Sequence, residues 1–154
     1  MFLVSRKWLE VLAFLFVGLA ACEKAKEESQ AQAPSDRCAL CGMRVRRGAA
    51  FSAGAKAKDG KEVLFDSIKC MFRWLASHPE ASDPWVTEHL SRKPLPAQKA
   101  WYVLGSSLQG PMGADLVPLA TREDAERIRT RHGGTQVLAF GEVKKEIIDE
   151  LFRH

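Results

Sequence analysis

The chain has 154 residues, and its 23 Lys and Arg against 19 Asp and Glu give a formal net charge of +4. The two signs are interspersed, and no basic stripe with interleaved aromatic residues occurs, so no nucleic acid is expected as a partner. The length allows one folded domain behind a short leader.

The N-terminus has the composition of a bacterial export signal. Arg6 and Lys7 form a basic start, and residues 11–21 are an unbroken run of apolar and small residues before Cys22. A helix needs about 20 apolar residues to cross a bilayer, so this shorter run predicts a cleaved signal peptide over residues 1–21 rather than a membrane span.

Cys22 closes this segment in the order Leu-Ala-Ala-Cys, which resembles the bacterial lipobox. The resemblance implies a lipoprotein whose Cys22 is acylated, for example with palmitate, and whose folded part faces the periplasm at a membrane surface. Glu23, in place of Asp, favours the outer membrane. An ordinary secretory signal in which Cys22 has no role is the alternative.

Residues 22–36 contain no large apolar side chain. Such a segment cannot bury enough surface to offset its loss of conformational entropy, so it predicts a flexible tether. The remaining residues, 37–154, are interpreted as one folded domain.

This domain is predicted to consist of two modules, at about residues 43–90 and 100–141, with the same order of strand, strand, helix and strand. In the first module, the strands at residues 43–45 and 51–58 are expected to pair as a hairpin. The predicted strands are residues 43–45, 51–58, 61–65 and 85–87 in the first module, and 100–104, 115–119 and 136–140 in the second.

The predicted helices have recognisable starts. Asp66 or Ser67 is expected to cap the first, and Thr121 the second. The helices are predicted from Ile68 to about Ser77, from Thr121 to Gly133, and over residues 142–152. Helices and strands in this order indicate the α+β class.

Sulfur-bearing side chains recur at three places in the predicted domain. Thiolates and thioethers favour Cu(I) over hard cations, and a thioether has almost no affinity for Zn²⁺, so soft ligands in an exported protein suggest copper. These residues are Cys38, Cys41 and Met43, then Cys70 and Met71, and then Met112 in a Pro-Met-Gly turn.

The Cys-x-x-Cys pair also has other interpretations. A disulfide, a redox couple and half of a zinc site are the common ones. A thioredoxin-type couple needs a helix directly after the pair, whereas a strand is predicted here. A zinc site would need a histidine as its fourth ligand. Covalent haem attachment would need a histidine directly after the second cysteine, where the chain has Gly42. A disulfide between Cys38 and Cys70, in a thiol-disulfide or structural-disulfide lipoprotein, stays open.

Gly42 separates the nearest thiol and thioether. In an extended segment Cys41 and Met43 would face opposite ways, but glycine can adopt backbone angles that turn both sulfurs onto one ion. Packing is the competing role for two methionines, because Met43 can open a strand and Met71 lies on the apolar side of its helix.

These segments together resemble the NosL family, lipoproteins associated with nitrous oxide reductase. The resemblance runs in order from Cys38 to about Val143 and no single motif carries it. The matching segments are Cys-Ala-Leu-Cys-Gly-Met, Leu-Phe-Asp-Ser-Ile-Lys-Cys-Met-Phe, Ala-Trp-Tyr-Val-Leu-Gly-Ser, Gly-Pro-Met-Gly-Ala-Asp-Leu-Val-Pro-Leu and Gly-Gly-Thr-Gln-Val-Leu-Ala-Phe.

The resemblance implies a periplasmic Cu(I) chaperone rather than an enzyme, built from two ββαβ-like modules. It also implies that copper is supplied to nitrous oxide reductase, in denitrification, together with a membrane transporter complex. Cys41 and Met43 match the family's metal motif, followed by Met112. Cys38, Cys70 and Met71 match positions that vary more in the family, so a ligand role is implied less strongly for them. The implied site contains none of the histidines His78, His89, His132 and His154.

Overall fold

A computed structural model describes residues 36–153 of the chain. The predicted signal peptide and all but the last residue of the predicted tether lie outside the described residues. Within residues 36–153, no helix combines the length and the apolar character needed to span a membrane.

The first module is a four-stranded antiparallel sheet covered by one helix. Its strands are β1 (Ala53–Lys56), β2 (Glu62–Phe65), β3 (Ser82–Thr87) and β4 (Pro94–Pro96), and helix α1 (Ile68–Ala76) connects β2 to β3. The sheet order is β2-β1-β3-β4, so the first strand lies in the interior of the sheet. Helix α1 packs on β1 and β2.

The second module repeats this topology with a smaller sheet. Its elements are β5 (Trp101–Leu104), β6 (Gln109–Gly110), β7 (Gly113–Ala114), β8 (Val117–Leu119), α2 (Arg122–Arg131) and β9 (Gln136–Ala139). The sheet order is β8-β5-β9. The first strand, β5, is therefore again flanked by the strand before the helix and by the strand after it. A last helix, α3 (Lys145–Leu151), packs on α1. The predicted α+β fold of two ββαβ-like modules is confirmed.

The starts of the first two helices follow the capping rules. Ser67 Oγ accepts a hydrogen bond from the Cys70 N–H at 3.4 Å, and Thr121 Oγ1 accepts one from the Asp124 N–H at 3.1 Å. Of the two predicted caps of α1, the structure therefore uses Ser67. The Asp66 side chain is left for another role.

The predicted hairpin of residues 43–45 with residues 51–58 is wrong. Residues 36–45 fold back on themselves, and Arg44 forms an isolated antiparallel bridge with Arg37. Both edges of β1 are occupied, by β2 across the Asp59-Gly60 turn and by β3, so no edge remains for a third strand.

Several other boundaries differ from the prediction, and strands β4, β6 and β7 were not predicted. The last helix begins at Lys145 because Phe140–Glu142 form a 3-10 turn, and the predicted strand at 115–119 is limited to Val117–Leu119. Strand β4 has proline at both ends, a composition tolerated only at a sheet edge, and it is an edge strand here.

A buried carboxylate connects the two modules. Asp115, from the segment before β8, is 2% exposed and accepts hydrogen bonds from the backbone N–H groups of Ile68 and Lys69 at 3.2 and 2.9 Å, and of Leu116 at 2.8 Å. Two of these donors belong to the first turn of α1, where helical N–H groups lack partners within the helix. Asp115 therefore fixes the start of α1 against the second module.

Replacing Asp115 by Asn tests how charge at this position affects folding. Burial raises the pKa of Asp115 to about 6, whereas an unfolded aspartate has a pKa of about 3.9. Between these values the folded state holds a proton that the unfolded state has lost, so this group's contribution to stability falls as the pH rises. We expect the free energy of unfolding of the parent, relative to Asp115→Asn, to decrease from about pH 4 to about pH 7 by at most about 3 kcal/mol.

Urea unfolding of both proteins at the two pH values measures this difference. A difference that grows with pH would mean that the three N–H donors lower the pKa of Asp115 more than burial raises it.

Candidate metal centre

A tight turn carries the first two cysteines. The Cys38 carbonyl accepts from the Gly42 N–H at 2.9 Å, and the Cys38 N–H donates to the Met43 carbonyl at 2.7 Å. Gly42 has φ +75°, a left-handed angle that side chains other than glycine rarely adopt. The chain therefore turns sharply between Cys41 and Met43, as the sequence predicts.

Three thiols and one carboxylate meet beside this turn. The ligand atoms of Cys38, Cys41, Asp66 and Cys70 all lie within 4.8 Å of one another. Asp66 follows β2 directly, and Cys70 lies in the first turn of α1. Cys38 and Cys70 are buried while Cys41 is exposed, so the cluster opens to solvent on the Cys41 side.

Asp66 is the member that the sequence analysis did not assign to a site. Its Oδ1 accepts a hydrogen bond from the Cys41 thiol at 3.2 Å, and its buried Oδ2 has no hydrogen-bond partner among the described residues. A carboxylate is a hard donor, so it suits orienting Cys41 better than binding a soft ion. The available signal was an acidic residue directly before the capping serine and four residues before Cys70.

The three thiols differ in acidity. A hydrogen bond from the Cys70 thiol lowers the pKa of Cys38 to about 6, and the same contact raises the pKa of Cys70. Burial raises the pKa of Cys41 to about 11. The raised pKa values of Cys41 and Cys70 mean that these two thiols must lose their protons before they can bind a metal as thiolates.

Met112 reaches the cluster from the second module. It lies at the tip of the β6–β7 hairpin, and its Sδ lies 3.8 Å from the Cys70 Sγ. The ammonium group of Lys69 donates to the carbonyl oxygens of Met112 and Ala114, both at 2.9 Å, and of Leu151 at 3.0 Å. One lysine on α1 therefore contacts both the hairpin and α3.

The other two methionines lie in opposite environments. Met43 is 41% exposed at the end of the tight turn, whereas Met71 is fully buried in α1 with 0% exposure. Burial in the core is the environment that the packing role of Met71 requires. The packing role considered for Met43 does not match its exposure.

The described histidines lie apart from the cluster of three thiols and a carboxylate. His78 stacks on Trp74 with ring centroids 3.9 Å apart, and its Nδ1 lies 2.8 Å from the Trp74 carbonyl. His89 packs edge-on against Phe51, and His132 is the C-terminal cap of α2. His154 lies outside the described residues.

Two ββαβ modules joined around a site of three thiols and a thioether define a small α+β protein with a sulfur-rich centre. The model of the NosL family matches residues 30–148, most of the chain, and the chain belongs to this family.

Two relatives agree with this membership. The chain is 30% identical over 155 residues to the protein named copper-binding lipoprotein NosL of Stutzerimonas stutzeri, covering 91% of this chain and 80% of that protein. The crystal structure of the copper chaperone NosL from Shewanella denitrificans is similar with a TM-score of 0.65 and 23% identity, covering 77% of this chain and 97% of that one. At this identity the second similarity shows the fold alone.

Proposed function

We propose that this protein is a membrane-anchored metallochaperone that binds Cu(I) and delivers it for assembly of the copper centres of nitrous oxide reductase. One observation carries the copper proposal. The Sγ atoms of Cys38, Cys41 and Cys70 lie within 4.8 Å of one another, and Met112 Sδ lies 3.8 Å from Cys70 Sγ. Thiolates bind both Cu(I) and Zn²⁺, and a thioether beside them favours Cu(I).

The proposed ligand set begins with Cys41, Met43 and Met112, the residues implied by the family motif. The distances between the thiols support adding Cys38 and Cys70 as further metal ligands, or as thiols that take part in disulfide exchange. Burial in the helix supports a packing role for Met71. The bound ion would then lie between the tight turn, the start of α1 and the β6–β7 hairpin.

Delivery requires that a partner can reach the ion. Cys41 and Met43 are exposed at one side of the cluster, and Leu40 beside them is also exposed. An acceptor could therefore replace the exposed ligands first while the buried thiols still hold the ion. This arrangement supports transfer to a protein partner, and nitrous oxide reductase with its membrane transporter complex is the proposed one.

We assign no catalytic role. Both relatives have names that refer to copper binding or copper chaperoning. The competing function is thiol-disulfide chemistry at Cys38, Cys41 and Cys70, which the distances between the three sulfurs also support. Redox titration of the thiols beside metal titration separates the two functions.

Membrane anchoring through acylated Cys22 is the second part of the proposal. The lipobox-like end of the leader supports it, and so does the lipoprotein name of the Stutzerimonas relative. The protein would face the periplasm. Glu23, the residue after Cys22, favours the outer membrane as the site of anchoring.

Metal titration tests the copper proposal directly. Reduced protein without residues 1–22 should bind one Cu(I) tightly and Zn²⁺ much more weakly, because two of its proposed ligands are thioethers. Competition with a Cu(I) chelator and with Zn²⁺ at equal concentration measures the preference. Zinc retained in the presence of Cu(I), or no transfer of Cu(I) from the chelator, would contradict the proposal.

Substitutions rank the ligands. A thiolate is charged and binds Cu(I) more strongly than a neutral thioether, so Cys41→Ser should abolish tight binding. Met43→Leu and Met112→Leu keep the side-chain volume and should weaken binding roughly tenfold, or about 1.4 kcal/mol, at almost unchanged thermal stability. Met71→Leu is the matched control, for which we expect unchanged affinity.

The same chelator competition, together with thermal unfolding of the apoprotein, measures both properties. Cys38→Ser and Cys70→Ser should have smaller effects than Cys41→Ser if the family motif holds the ion, and equal effects if the site is a cluster of three thiolates. Unchanged affinity in both the Met43→Leu and Met112→Leu variants would restrict the site to the cysteines.

Cys22→Ser tests the anchor. We expect the variant to lose its acyl chains and to leave the membrane fraction, or to remain uncleaved, while its folded domain binds copper like the parent. Fractionation of cells that express each protein, with mass measurement of the N-terminus, shows the difference. Identical fractionation of the two proteins would refute acylation at Cys22.

A further inference from the structure

We propose that Lys69 is a positioning residue for the metal centre, whose ammonium group holds the β6–β7 hairpin so that Met112 Sδ stays beside Cys70 Sγ. This inference rests on the proposed copper function and deepens it. Lys69 is neither a ligand in the proposed set nor one of the residues that match the family's metal motif, which are Cys41, Met43 and Met112.

The contacts of Lys69 are unusual for a lysine. The residue is 2% exposed, and its ammonium group uses all three of its N–H donors on backbone carbonyls. None of the ion pairs found within residues 36–153 includes Lys69. Burying an ammonium group is costly, so its three carbonyl partners are needed to stabilise it, and they in turn are fixed in space by it.

The hairpin that Lys69 holds is too small to be stable alone. Strands β6 and β7 have two residues each and pair only through Gln109 with Ala114 and Gly110 with Gly113. An isolated two-stranded hairpin is at best marginally stable in water even when it is longer. Its position therefore depends on contacts with the rest of the domain.

The position of Lys69 in the chain links its contacts with the hairpin to the site. Lys69 directly precedes Cys70 on α1, and its own N–H is held by Asp115. The carbonyl of Met112 and the thiol of Cys70 are therefore both fixed relative to the same residue. A neutral thioether binds weakly, so its contribution depends on being held in place before the ion arrives.

A double-mutant cycle tests the role of Lys69. The full chain, reduced and purified in detergent, is compared as parent, Lys69→Leu, Met112→Leu and the double variant, by competition for Cu(I) with bathocuproine disulfonate. We expect Lys69→Leu and Met112→Leu each to weaken binding roughly tenfold, and Lys69→Leu to have no further effect when Met112 is already Leu. X-ray absorption should show loss of the same copper-sulfur contact in both single variants.

Two further variants keep the test independent of folding. Tyr102→Phe removes a different buried hydrogen bond, to the Ala97 carbonyl at 2.7 Å, and should leave copper affinity unchanged although it also destabilises the domain. If Lys69→Leu does not fold, Lys69→Gln replaces it in the cycle, because its amide keeps two N–H donors. Its affinity should lie between those of the parent and Met112→Leu.

Equal losses from Lys69→Leu in the presence and absence of Met112 would overturn the proposal and make Lys69 a structural residue only. If the parent itself binds no Cu(I), the copper function fails, and positioning is then tested in the metal-free protein. In that case an NMR contact between the Met112 methyl group and the Cys70 side chain should be present in the parent and absent in Lys69→Leu. Its persistence in the variant would overturn the inference.

Discussion

Two buried charges, one from each module, determine how this domain is assembled. The Asp115 carboxylate accepts three backbone N–H groups, and the Lys69 ammonium group donates to three backbone carbonyls. Charged groups in the interior are tolerated only when they are satisfied in this way. Because the partners come from α1, the β6–β7 hairpin and α3, both charges are satisfied only when these parts are docked together.

This docking explains why the sulfur atoms converge. Cys38 and Cys41 belong to the turn before the first sheet, Cys70 to α1 and Met112 to the second module. No local periodicity brings these four side chains together. They meet because Cys38 forms a bridge with Leu64 of β2 and because the hairpin tip is held over the start of α1. The gradient from buried Cys70 to exposed Cys41 follows from the same arrangement.

The sequence predicts those parts of the structure that depend on local chemistry. The caps Ser67 and Thr121, the Asp59-Gly60 turn and the ββαβ order follow from residue types and short-range periodicity, and the structure agrees with them. The pairing of residues 43–45 depends on which edges of β1 are free, and both edges are taken by β2 and β3, which follow later in the chain. The burial of Asp66, Lys69 and Asp115 likewise depends on tertiary contacts, so their roles could not be predicted from their positions alone.

The site spans elements that are far apart in the chain, and this has a thermodynamic consequence. A ligand that binds only the native state stabilises every part of the structure that must be intact for binding. For the proposed ligand set those parts are the tight turn, helix α1 and the second module, so partial opening of any of them would disrupt the site. Occupancy of the centre would therefore be linked to cooperative unfolding of the whole domain, and local fraying of one segment would be enough to lower retention of the ion.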